Sequence, residues 1–111
     1  MKSREQLVNR ALQKLKVLAA GQSPSAEDYK VVDDDLEPVL SDLSSRGIYP
    51  FGNPDEIEDE AFLYLATCLA QSSAQDFGRD PDPNQVAFAE ARLRELNTQK
   101  LSGQPLQVDY F

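Results

Sequence analysis

Two stretches of this chain hold enough carboxylates to do chemistry. One is Asp33, Asp34 and Asp35; the other is Asp55, Glu56, Glu58, Asp59 and Glu60. A pair of carboxyl groups can act as acid and base on a glycosidic bond, and several together can hold a hard cation through oxygen. Neither stretch has the ligand spacing of a calcium-binding helix-loop-helix. The chain has no histidine, which excludes nucleophilic triads of the Ser-His-Asp and Cys-His kinds. Its one cysteine, Cys68, is too few for a structural zinc site and cannot close an internal disulfide. No phosphate-binding Gly-Lys-Ser/Thr loop and no dinucleotide fingerprint occurs. Asp55 and Glu56 read as partners of a positive helix start, and the other acids as solvated helix faces. A carboxylate enzyme stays formally open, but the expectation is no enzyme, no cofactor and no metal.

The elements that would position these groups are helical. Ser3 followed by Gln6 makes a capping box, and Leu7, Ala11, Leu15 and Leu18 form a stripe at helical spacing, which predicts a first helix over 4–20 stopped by Gly21. Ser25, with Glu27 and Asp28 behind it, caps a second helix over 25–46 carrying Tyr29, Val32, Leu36, Val39, Leu40 and Leu43. Pro38 cannot donate to the carbonyl of Asp34, so a kink or break is expected there. Asn53, Pro54 and Glu56 open a third helix over 54–77 whose apolar residues run nearly all the way round, the pattern of a helix buried on every side. Cys68 lies in it and reads as a small buried hydrophobe. Gly78 ends it. Asp82 with Gln85 caps a fourth helix over 83–101, with Val86, Ala89, Leu93 and Leu96 on one stripe. The fold class is therefore all-α, a small four-helix bundle.

Two apolar segments lie outside these helices. Ile48, Tyr49 and Phe51 sit in the Gly- and Pro-rich stretch "GIYPFGNPDE" and can either cover the chain's own core or touch a neighbouring chain. Beyond Gly103 and Pro105, Leu106, Val108 and Tyr110 alternate with Gln107 and Asp109 and end on Phe111. That alternation suits an extended strand laid on another surface, with a terminal aromatic anchor. The organisation expected is a helical domain over 1–103 and a docking tail over 104–111.

The chain has 111 residues, 41% hydrophobic and 27% charged, enough for one globular domain with a modest core. Its net charge is -8 and its pI about 4.4. A surface gripping DNA or anionic lipid would need clustered Lys and Arg. The basic residues near the start, Lys2, Arg4, Arg10, Lys14 and Lys16, are spread around the first helix. No apolar run is long enough to span a membrane, and "MKSREQ" does not read as a signal peptide.

The stretch Leu7 to Ile48, "LVNRALQKLKVLAAGQSPSAEDYKVVDDDLEPVLSDLSSRGI", resembles the N-terminal half of the head-to-tail adaptor proteins of tailed bacteriophages and prophages, most of all the tail accessory factor type of short-tailed phages. The shared features are "LVxRALxKL", the Gly-containing break, "PSAED" and the Gly-Ile ending. The later "NPDE", "LYLATCLAQ" and "FGRDPDP" also fit, so the likeness covers most of residues 4–100. Pro38 departs from the pattern, and the C-terminal part is short. The resemblance implies a helical bundle in a homo-oligomeric ring, commonly of twelve copies, below the portal protein. Such a ring extends the DNA channel without specific DNA binding and seats the next tail or stopper protein. It places the chain at the head-tail junction of a virion assembled in the host cytoplasm. The competing expectation is a small acidic interaction module, for instance a regulator that binds a basic protein.

Overall fold

The computed structural model describes residues 1–19, 21–50 and 53–102. Among these the chain forms four α-helices, α1 (Arg4–Lys14), α2 (Ala26–Ser45), α3 (Asp59–Ser73) and α4 (Pro83–Ser102), with a 3-10 turn over Ala74–Phe77. There is no strand among the described residues, only an isolated antiparallel bridge between Lys2 and Ile57. The fold is an all-α small helical bundle.

The helix starts follow local chemistry. Ser3 Oγ accepts from the Gln6 N–H at 3.2 Å while Gln6 Oε1 accepts from the Ser3 N–H at 2.9 Å, the reciprocal box expected for α1. Ser25 Oγ accepts from Asp28 N–H at 3.1 Å and starts α2. Asp82 Oδ1 accepts from Asn84 N–H at 2.9 Å at the start of α4. Gln85 does not close a box with Asp82; its side chain meets Gln71 instead, at 3.4 Å.

The ends differ more. Helix α1 stops at Lys14, six residues before the expected Ala20. Lys16 takes the left-handed conformation, φ 61°; its N–H donates to the Gln13 carbonyl at 3.0 Å, and Val17 N–H reaches back to the Leu12 carbonyl at 3.1 Å. This is the end motif that glycine usually makes. The same pair of backbone bonds closes α2 at Gly47 and the 3-10 turn at Gly78. In the first two cases an apolar pair accompanies it, Leu12 with Val17 and Leu43 with Ile48. Gly21 is left-handed, φ 83°, but lies in the connection rather than at the helix end. Leu15 and Leu18 remain buried although they follow α1.

Pro38 does not break α2, which runs on to Ser45. Its ring lies on the exposed side, and the carbonyl deprived of a donor belongs to the outward-facing Asp34. Helix α3 starts at Asp59, five residues later than expected. The Asn53 side chain caps a turn rather than a helix, accepting from Asp55 N–H at 2.9 Å. Asp55 and Glu56 therefore precede the helix, and the acids in its first turn are Asp59 and Glu60.

Helix α3 is central and packs against α1, α2 and α4. Leu65, Ala66, Leu69 and Ala70 are buried between Leu7, Val8, Ala11 and Leu12 of α1, Leu36 and Leu43 of α2, and Ala89 and Leu93 of α4. It is not buried all round, however. Leu63 is 48% exposed, and Phe62 and Tyr64 are only partly covered.

Candidate functional site

The two acidic stretches disperse once folded. Consecutive helix residues point about 100° apart, and Asp33, Asp34 and Asp35 go three ways. Asp33 accepts from Arg4 Nε at 2.6 Å and ties α1 to α2. Asp34 pairs with Lys30 one turn earlier at 3.1 Å. Asp35 accepts from the hydroxyl of Ser73 at 2.7 Å, and Ser73 is fully buried. In the second stretch the Tyr49 hydroxyl donates to the Glu58 carboxylate, and burial together with that carboxylate pushes the phenol's pKa up. No group of three or more His, Cys, Asp or Glu among the described residues could hold a metal. Of the basic residues near the start, Arg4 spans Asp33 and Glu37, the latter at 3.1 Å.

Ile48 and Tyr49 are 0% and 8% exposed and belong to the chain's own core. Phe51 lies outside the described residues, as do the tail residues Leu106, Val108, Tyr110 and Phe111 and the whole stretch 104–111.

Two surfaces stand out instead, on either side of α4. The first is a groove of about 390 Å³ between α2, α3 and α4. Pro38, Val39, Leu43, Cys68, Pro81 and Val86 give it apolar walls, and Asp35, Asp42, Arg46 and Glu90 form its charged rim. Arg46 is the clasp. Its guanidinium donates to Glu90 Oε2 at 2.7 Å and to Asp42 Oδ2 at 2.8 Å, joining α2 to α4, and both carboxylates raise its pKa. Cys68 is 5% exposed, and burial pushes its thiol up to about 12, so it acts as an apolar wall and not a nucleophile.

The second surface is an apolar projection. Phe88 is 63% exposed and meets Tyr64 edge to face, ring centres 6.3 Å apart. Arg92, one turn further along α4, lies over the Tyr64 ring at 5.7 Å. Thr67, Asn84 and Gln85 form a shallow depression next to Phe88. Neither surface was expected from the sequence. The signal for the projection was nevertheless present, because Phe88 lies off the stripe of Val86, Ala89, Leu93 and Leu96.

No protein-family model, no curated protein and no solved structure matches the chain.

Proposed function

We propose that this protein is a structural head-to-tail adaptor of a tailed bacteriophage or prophage. Its copies, twelve in the usual arrangement, stand in a ring below the portal, extend the DNA channel and seat the next tail component. The observation that carries this reading is the apolar surface the chain keeps outside its own core. Phe88 is 63% exposed and Leu63 48% exposed, while a groove with apolar walls stays open on the other flank of α4 from Phe88. An exposed aromatic on one flank and an open apolar groove on another are what a protein that works by packing on neighbours needs. The net charge of -8 is in keeping with a channel wall along which DNA slides without adhering. The tail, Leu106 to Phe111, is the segment assigned to docking on the portal or a neighbouring subunit.

The test is direct. Purified protein is mixed with portal-bearing, DNA-filled heads and the particles are imaged. A ring of added density below the portal supports the adaptor reading; bare portals at saturating protein refute it. Deleting 105–111 should abolish attachment with an unchanged melting temperature. Loss of stability with attachment retained would make the tail a cover for its own bundle.

A second reading is favoured by the rim of the groove, where three carboxylates, Asp35, Asp42 and Glu90, outnumber one guanidinium, Arg46. Such a rim suits a basic segment with an apolar anchor, as an acidic interaction module would require. Binding of a basic amphipathic peptide together with failure on heads would select it.

A further inference from the structure

We infer that Phe88 of one copy seats in the groove between α2 and α4 of a second copy, so that the chain associates head to tail. This deepens the adaptor reading by naming the two surfaces that meet, and rests on it only for the closure of such contacts into a ring.

The placement on α4 comes first. Val86 and Glu90 are one turn apart and line the groove; Phe88 and Arg92 are one turn apart and form the projection. Two residues along a helix is about 200° around it. The projection and the groove therefore lie on opposite flanks of one rigid helix. A chain cannot fill its own groove with its own Phe88. A second copy can, and the contact leaves a free groove at one end and a free Phe88 at the other. Such a heterologous contact repeats, and it closes into a ring when the rotation per copy permits.

The chemistry of the two sides also matches. The groove has apolar walls made by Pro38, Val39, Leu43, Cys68 and Val86. Its volume of about 390 Å³ accommodates one or two side chains rather than a helix. Phe88 is a single large apolar group, and an aromatic side chain of this kind buries about 150–250 Å². The rim of the groove carries an excess of negative charge, and the projection carries Arg92 one turn from its ring. Arg92 is held by Glu95 at 2.8 Å in a surface pair with both partners over 40% exposed. Exposed pairs of this sort are weak and readily exchanged. A two-fold contact of Phe88 with Phe88 would instead leave both grooves empty.

Cysteine pairing tests the geometry. In a Cys68→Ala background, one chain carries Val39→Cys in the groove and another, of different mass, carries Phe88→Cys. Circular dichroism first establishes that each variant is folded as the parent is. The two are mixed at millimolar concentration, oxidised mildly and resolved without reductant. The expected product is the mixed dimer, disulfide-linked from position 39 of one chain to position 88 of the other, in excess over either homodimer. A ladder of oligomers is expected when both substitutions are in one chain. A dominant homodimer of the Phe88→Cys chain overturns the inference in favour of a two-fold contact. So does a mixed yield no higher than that of Phe88→Cys with an exposed control cysteine, Glu27→Cys. Attachment of the parent chain to portal-bearing heads is scored separately. Attachment without the mixed dimer removes this contact and leaves the adaptor reading; the mixed dimer without attachment does the reverse.

Discussion

Replacing Lys16 by glycine should stabilise the protein, although it shortens a side chain and touches nothing in the core. Lys16 is the non-glycine residue that takes a positive φ, 61°, among the described residues. For an L-residue the left-handed conformation costs about 1–2 kcal/mol, and Lys16→Gly recovers it. Glycine also gives the unfolded chain more freedom, which returns about 0.4–1 kcal/mol to the unfolded state. The net gain is about 0.5–1 kcal/mol. In a domain of this size that raises the melting temperature by about 2–6 °C. The matching control is Gly47→Ala. Gly47 has φ 71° and closes α2 with the same backbone bonds, and a Cβ there would meet nothing within 4 Å. Its loss is therefore purely conformational, about 0.5–1 kcal/mol with the sign reversed. Urea titrations followed by circular dichroism measure both. If Gly47→Ala destabilises while Lys16→Gly is neutral or worse, α1 does not end in a left-handed turn at Lys16 and the reasoning fails.

Leu65→Ala and Leu69→Ala should each cost about 2–5 kcal/mol, read by thermal melting, because these side chains are 3% and 0% exposed in the central helix. Ser73→Ala should cost about 1–3 kcal/mol in urea titration, since it removes a fully buried hydroxyl and leaves the Asp35 carboxylate without its 2.7 Å donor. The Cys68 thiol, pushed up to about 12 by burial, should resist a chromogenic thiol reagent at pH 8 in the native protein and react on unfolding. Free protein should show no tight, salt-sensitive binding to duplex DNA in fluorescence anisotropy, given its net charge of -8.

The fold class, the caps at Ser3 and Ser25 and most of the core were legible in the sequence because each rests on local spacing. The misjudged boundaries have local causes too. Gly21 is the glycine that fits a stop to α1, but the helix ends at Lys14 with the left-handed turn at Lys16, and the apolar pair Leu12 and Val17, spaced as Leu43 and Ile48 are at the end of α2, marks that end. Asn53-Pro54 looked like a helix start, but Ile57 is committed to a backbone pairing with Lys2, its N–H and carbonyl both at 2.8 Å, and that extended residue delays α3. The three aspartates looked like one cluster because adjacency in sequence hides the helical turn between neighbours. The groove could not be read at all, since Val39, Cys68 and Val86 come from three helices and meet only through tertiary packing.

Helix α4 contributes two side chains, Ala89 and Leu93, to the fully buried set among the described residues, and one of them is a methyl group. Its other ties are partly exposed: Leu96 at the edge of the core, the edge-to-face contact of Phe88 with Tyr64, the Arg46 clasp, the Gln71 contacts with Asp82 and Gln85, and the Arg92 contact with Tyr64. In hydrogen exchange, α1, α2 and α3 should then behave as one cooperative unit, with α4 opening below the global free energy. Because α4 is one wall of the groove, each opening also uncovers Cys68 and Leu43. Anything seated there holds the helix down, so occupancy of the groove would be read as slowed exchange along α4, before any structural change elsewhere in the bundle.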